Sequence, residues 1–249
     1  MSTENGRDAG YDESYAHWKR WAATDFGRCD DDDARVFEAE IAKARKDFPE
    51  GTRVLEVGFG NGAFLAFARA RGWEVEGVEA SAELVARAVA AGYRAHLAAD
   101  LAGVEANRYD LVAAFDVLEH VPGDAVVGFV DEVKRVLVDG GVFMARVPNG
   151  DSPFGLVNQN EDLTHVTAIG SGMVHYLARR AGATLLYVGA QAVAPPRGRR
   201  LAVEARVRRL LIRQLDRLLN WIAFPGQSLS FFSPNLVMVM RMNKDSDLR

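Results

Sequence analysis

Three acids stand at even intervals beside a run of glycines. Glu56 lies two residues before Gly58 in the stretch Val54-Leu55-Glu56-Val57-Gly58-Phe59-Gly60-Asn61-Gly62. Glu79 follows Gly58 by 21 residues, and Asp100 follows Glu79 by another 21. Glycines so placed turn a chain sharply from strand to helix and let a ligand approach the backbone. Spacing alone leaves two readings open, because Gly58, Gly60 and Ala63 also fit the dinucleotide fingerprint G-x-G-x-x-A.

The acids separate those readings. In an open α/β sheet the ligand crevice lies outside the carboxyl ends of the strands, so Glu56, Glu79 and Asp100 should surround one cleft. A pyrophosphate would meet negative charge there. A ligand with a cationic centre, a ribose diol and an adenine amino group would suit it, and S-adenosylmethionine is such a ligand. Glu79 can accept the ribose hydroxyls, Asp100 the adenine amino group, and Glu56 can orient the amino end.

These side chains need strands that end together, and the chain supplies them. Strands are predicted over Arg53–Gly58, Glu74–Glu79, Tyr93–Leu97, Asp110–Phe115, Val142–Val147, Thr184–Val188 and Leu236–Met242. Helices are predicted over Gly62–Arg71, Ala82–Ala90, Asp124–Leu137 and Gly172–Ala181. Asp139-Gly140-Gly141 reads as a turn and residues 148–170 as a long loop. Alternating β and α with short links implies a mostly parallel sheet covered on both faces. Residues 1–10 read as a disordered tail and 11–48 as helical, with the acid run Asp30–Asp33 suited to a helix start.

The stretches VLEVGFGNGAFL, GVEAS, ADL, YDLVAAFDVLEHV and RVLVDGGVFMARVPN together resemble the class I S-adenosylmethionine-dependent methyltransferase family, in its ubiquinone-methyltransferase-like small-molecule branch. The likeness covers roughly residues 50–190, with the motifs in order. It implies a Rossmann-like seven-stranded sheet whose last strand is antiparallel. It divides the chain into an N-terminal tail and helical lid (1–48) and a methyltransferase domain (49–249), with a substrate loop at 148–170 and a basic helical insertion at 197–234. It also implies that Glu56 and the turn Gly58, Phe59, Gly60, Asn61 and Gly62 hold the methionine part. Glu79 beside Ala80 would hold the ribose and Asp100-Leu101 the adenine. Phe115, Asp116 and Val117 would line the floor beneath the sulfonium.

Methyl transfer to a hydroxyl needs a base for its proton, and a placed base contributes about 10²–10⁴-fold. Two histidines are candidates. His120 directly follows the fourth strand in Leu118-Glu119-His120. His165 lies in Asp162-Leu163-Thr164-His165, a stretch similar to the D-x-T-H segment of sugar and small-molecule methyltransferases. Imidazoles titrate near neutrality, which suits either to the task. The Glu161, Asp162 and His165 group could also take a divalent metal, but no spacing demands one, and no metal is expected.

The aromatic stripe Tyr11, Tyr15, Trp18 and Trp21 reads either as core packing or as a lid. Residues 197–222 carry eight arginines against Glu204 and Asp216, a local charge of +6 that leaves about −10 on the remainder. A helix is predicted over Leu201–Trp221; Val203, Val207, Leu211, Leu215, Leu218 and Ile222 form an apolar stripe at helical spacing, with Arg206, Arg209, Arg213 and Arg217 off that stripe on a common side. The stripe fits an ordinary amphipathic helix. The arginines fit a solvated face, a phosphate-bearing acceptor, or peripheral contact with a membrane, and a homodimer contact is also open.

A net charge of −4 argues against a protein that binds nucleic acid over its whole surface. One cysteine, Cys29, excludes an internal disulfide and a cysteine zinc site and fits a reducing compartment. The polar start lacks an apolar signal segment and no apolar run spans a bilayer, so a cytoplasmic enzyme is expected. Its acceptor is expected to be a small molecule, first a sugar or glycan-pathway intermediate methylated on oxygen. N- or C-methylation of another metabolite, a non-catalytic cofactor-binding module and a nicotinamide-dependent oxidoreductase are the alternatives.

Overall fold

Alternate residues of the central strands face opposite sides of one sheet, and both sides are apolar. The computed structural model describes residues 26–194 and 196–244, so the tail and the stripe Tyr11, Tyr15, Trp18 and Trp21 lie outside the described residues. The strands are β1 (Arg53–Val57), β2 (Glu74–Glu79), β3 (Arg94–Leu97), β4 (Tyr109–Phe115), β5 (Leu137–Pro148), β6 (Thr184–Ala190) and β7 (Asn235–Arg241). Their order is β3-β2-β1-β4-β5-β7-β6. Only β7 runs antiparallel to its neighbours. The α/β class and the reversed last strand are as the sequence implies.

Helices cover both faces: α1 (Asp31–Ile41), α2 (Ala63–Ala70), α3 (Ala82–Ala90), α4 (Val126–Val136), α5 (Gly155–Asn160), α6 (Ser171–Arg180) and α7 (Arg199–Ala223). On one face Val126, Val130 and Val133 of α4 and Val174 and Leu177 of α6 join a cluster with Leu55, Val57, Val112 and Phe143. On the other, Ile41 of α1 and Phe64 and Phe67 of α2 join Val54, Leu111, Val142 and Met144. Each large apolar side chain so buried contributes ~1.5–3 kcal/mol over leaving it in water. The acid run works as a cap: Asp30 accepts from the backbone N–H of Asp32 and Asp33, and Asp33 accepts from that of Asp30. Ala44 and Phe48 belong to the same cluster as Val54, so residues 31–48 share the core of the sheet.

Three expectations change. The turn Asp139-Gly140-Gly141 is absorbed into β5, where the register jumps from Tyr109↔Leu137 to Leu111↔Val142. Gly140, at φ +68°, lets the backbone loop out there while its N–H still reaches Met242 O. The segment 148–170 is not structureless. It contains α5, and a bridge between Asn149 and Ile169 closes its base. Buried Asn149 pins that base by donating to the carbonyls of Ser230 and Ser233. Third, the apolar stripe of α7 does not pack on the body of the protein. Val203, Val207, Leu211, Leu215, Leu218 and Ile222 are all exposed.

The turn after β1 is seated by its own aromatic. Phe59 is buried and lies against Gly77 of β2, where a Cβ would come within 2.4 Å of the ring. Gly77→Ala should therefore displace Phe59 and lower stability by ~1–3 kcal/mol. Urea denaturation measures this, and an unchanged midpoint would show that the ring yields freely.

Candidate functional site

Strand order reverses between β1 and β4, and a cleft of about 800 Å³ opens at the carboxyl ends of β1, β2 and β4. Glu56, Gly58, Phe59, Gly60, Asn61, Glu79, Ala80, Asp100, Leu101, Phe115, Asp116 and Val117 all line it, as does His120. Gly62 does not. It starts α2 in a left-handed conformation at φ +73°, with Phe26 where a side chain would go. Gly58 is also left-handed, and a Cβ there would meet Val117 at 2.5 Å. The first turn thus lies directly against the end of β4.

Both glutamates are buried, and among the described residues neither has an ion pair. Glu79 is satisfied by backbone instead: Oε1 accepts from Ala80 and Ser81, and Oε2 accepts from Gly60. These bonds tie the glycine turn to β2. Burial still raises its carboxyl above the ordinary range, outweighing the three N–H groups that lower it. Glu56 is pushed up well above that range, first by burial and then by the charge of Glu79. Its Oε2 has no hydrogen-bond partner within the described protein. A buried oxygen of this kind in a cleft marks a place for an external donor or cation. Asp100 is exposed and accepts from Ala102 N–H.

Arg146 was not among the residues picked from sequence, yet it lines the cleft. It stands opposite Phe115 in the sheet register and grips both oxygens of Asp116. Asp116 is left-handed at φ +59°, and its own N–H donates to Arg146 O. The Asp116 charge keeps the Arg146 guanidinium raised against the lowering effect of its burial. A lone arginine inside Val142–Val147 was the available signal. Phe37 of α1 also reaches the cleft and packs at 5.2 Å from Phe64 and 5.7 Å from Phe115, ring centre to ring centre.

The two histidines meet, but only one of them is on the cleft wall. His120 lines the cleft, while the side chain of His165 is only 5% exposed and stands behind it, ring centres 4.7 Å apart. Thr164 Oγ1 donates to Asp162, so His120 Nδ1 donates to the Thr164 hydroxyl and carbonyl oxygens. Gln159 O can only accept, so His165 Nδ1 donates to it. In each neutral ring Nε2 is then the proton acceptor. His165 Nε2 lies 3.8 Å from Asp162 and 4.0 Å from Glu119, beyond hydrogen-bond range. Glu119, His120 and His165 place ligand atoms within 4.8 Å of one another. The ring-to-carboxylate gaps exceed the ~3.4 Å that separates ligands around tetrahedral zinc, so the group as it stands is a polar cluster behind the cleft.

The raised carboxyls have a consequence for stability. They hold protons more tightly folded than unfolded, so their favourable contribution is present below the ordinary carboxylate pKa and is lost as pH rises through the folded values. Glu56→Gln should thus raise the melting temperature of the ligand-free protein at pH 8, by about 2–4 °C for each kcal/mol relieved, with the gain shrinking toward pH 5. A melting temperature at pH 8 equal to or below wild type would contradict this.

Residues 30–234 match the family described as "Methyltransferase domain". The ubiquinone biosynthesis O-methyltransferase of Xanthomonas axonopodis pv. citri (strain 306) is 30% identical over 126 residues, which cover 47% of this chain and 52% of that enzyme. The chain thus spans about half the length of the curated relatives it matches. Among solved structures, a SAM-dependent methyltransferase from Archaeoglobus fulgidus is similar in fold, with a TM-score of 0.63 and 15% identity over 92% of this chain and 100% of that one. The putative methyltransferase of Haloferax volcanii, solved with the Trm112 methyltransferase activator, has a TM-score of 0.62 and 18% identity over 92% and 96%. With the family match running from the first cap to the start of β7, the chain belongs to the methyltransferase-domain family.

Proposed function

We propose that the chain transfers a methyl group from S-adenosylmethionine to a hydroxyl of a small-molecule acceptor. The observation that carries this reading is the pair of buried carboxylates at the tips of β1 and β2, unpaired with a cation among the described residues, beside a glycine turn. Family membership and the names of the structural neighbours support it. The site fits the cofactor: Glu56 Oε2 offers an unused acceptor to a cationic amino end, and the turn leaves no Cβ at Gly58.

The donor supplies a methyl group on a positively charged sulfur that leaves as a neutral thioether without protonation. The chain binds, orients and excludes water around it. Glu79 has about four acceptor positions and three hold backbone N–H groups, so one is open to a ribose hydroxyl. Asp100 and Leu101 stand at the adenine end, and Phe115, Asp116 and Val117 at the floor. Arg146 neutralises Asp116, so Glu56, Glu79 and Asp100 are the acids that face the cofactor. At the acceptor end His120 takes the hydroxyl proton on Nε2, and His165 is a positioning residue that fixes the ring from behind.

Two acceptor classes enter the test. The wall of Phe37, Phe64 and Phe115 favours a hydroxyl on an aromatic acceptor, and the relatives are named as ubiquinone biosynthesis O-methyltransferases. The stretch Asp162–His165 favours a sugar. Incubation with each class followed by mass spectrometry should show a gain of one methyl. Loss of methyl donor with no gain on any hydroxyl would point to nitrogen or carbon as the target.

Glu79→Ala should weaken binding of S-adenosylhomocysteine by ~1.5–3 kcal/mol, read by calorimetry. Unchanged affinity would refute the ribose assignment. His120→Ala should lower turnover by about 10²–10⁴-fold while sparing cofactor affinity. Wild-type turnover in that variant would remove His120 as the base.

A further inference from the structure

Helix α7 presents its apolar side outward. Val207, Leu211, Leu215, Leu218, Trp221 and Ile222 are exposed, Trp221 at 77%. They recur at three- and four-residue intervals and form one continuous stripe. The least exposed side chains of the helix are instead Ala202, Ala205, Ile212, Asp216 and Asn220, which share a different side. The helix is fixed along that side. Asp216 accepts from Phe231 N–H at 2.9 Å, and Asn220 exchanges hydrogen bonds with Leu229. The 229–233 stretch is held in turn by Asn149 and by stacking of Phe154 on Phe232. The mount is firm, and the stripe is turned away from it.

Charge selects what covers this stripe. Exposed Arg206, Arg213 and Arg217 lie between the stripe and the mounted side, Arg209 lies on the mounted side, and Arg208 borders the stripe's other edge. The helix carries seven arginines against Glu204 and Asp216, on a chain whose net charge is −4. A second copy docking on the stripe would bring together two helices that each carry a net positive charge. An anionic lipid surface accepts both the stripe and its arginines. A concavity of about 530 Å³ beside the helix is lined by Arg213, Arg217 and Trp221 and closed by the 225–230 turn. Paired guanidinium groups there suit a phosphate ester. Asp216 also lines it, but its carboxylate is engaged by the backbone N–H of Phe231. No helix among the described residues is long and apolar enough to cross a membrane, so the contact is with the surface.

We propose that α7 is an interfacial anchor. It lies in the plane of a bilayer containing anionic phospholipid, with the stripe among the acyl chains and the arginines at the phosphates. This inference is independent of the methyl-transfer reading.

Sedimentation of the full chain with vesicles tests it. The protein should pellet with phosphatidylglycerol–phosphatidylcholine vesicles and stay in solution with pure phosphatidylcholine, and binding should weaken as salt is raised. The double variant Arg209→Glu, Arg213→Glu should lose at least about tenfold in vesicle affinity, and so should Leu215→Glu. Both should bind S-adenosylhomocysteine as wild type does, which shows that they fold. No pelleting with anionic vesicles, or equal pelleting with neutral ones, overturns the proposal. So does a dimer in sedimentation velocity that Leu215→Glu disrupts while vesicle binding is absent, since a second copy would then cover the stripe.

Discussion

Glu56 and Glu79 are kept out of water within range of each other's charge, with no cation from the protein set against either among the described residues. Burying a carboxylate without a partner is strongly unfavourable, and the group answers by holding its proton more tightly. The surrounding structure is arranged to make this tolerable. Backbone N–H groups from the glycine turn and from the start of α3 converge on Glu79. The turn can offer Gly60 N–H only because Gly58 and Gly60 adopt left-handed conformations, and Phe59 can lie flat beneath it only because Gly77 has no side chain. One electrostatic demand is therefore met through a turn, a packing contact and three glycine identities.

The other end of the cleft handles charge differently. Asp116 sits at the end of β4, as Glu56 and Glu79 sit near the ends of β1 and β2, but Arg146 from the neighbouring strand neutralises it. One carboxylate at the end of a central strand is thereby offset by a cation from its neighbour, while Glu56 and Glu79 are met by backbone alone among the described residues.

Much of this was legible in the sequence because it follows from local rules. Short apolar runs and the alternation in Glu74–Glu79 marked strands, and the helix expected over Ala82–Ala90 has those bounds, with Ser81 capping it. The acids at strand ends fell in one cleft because parallel strands of similar length end together. What was not legible depended on contacts between distant segments. Arg146 gains its place only from register with Phe115. His165 was expected at the acceptor, but its loop folds back so that Val166 and Thr167 donate to Glu119 O, which turns the ring behind His120. The stripe of α7 is unmistakable as a pattern, yet amphipathicity alone does not say which side meets the protein. Asp216 and Asn220, two polar residues within the helix, decided that by binding Phe231 and Leu229.

Phe37 completes one wall of the cleft from a helix that precedes every strand. Its ring partners Phe64 and Phe115 are 27 and 78 residues further along. Its contacts are drawn from two later segments, Phe64 and Phe67 of α2 and Phe115 at the end of β4. The finished cleft exists only once the two ends of that long interval have come together.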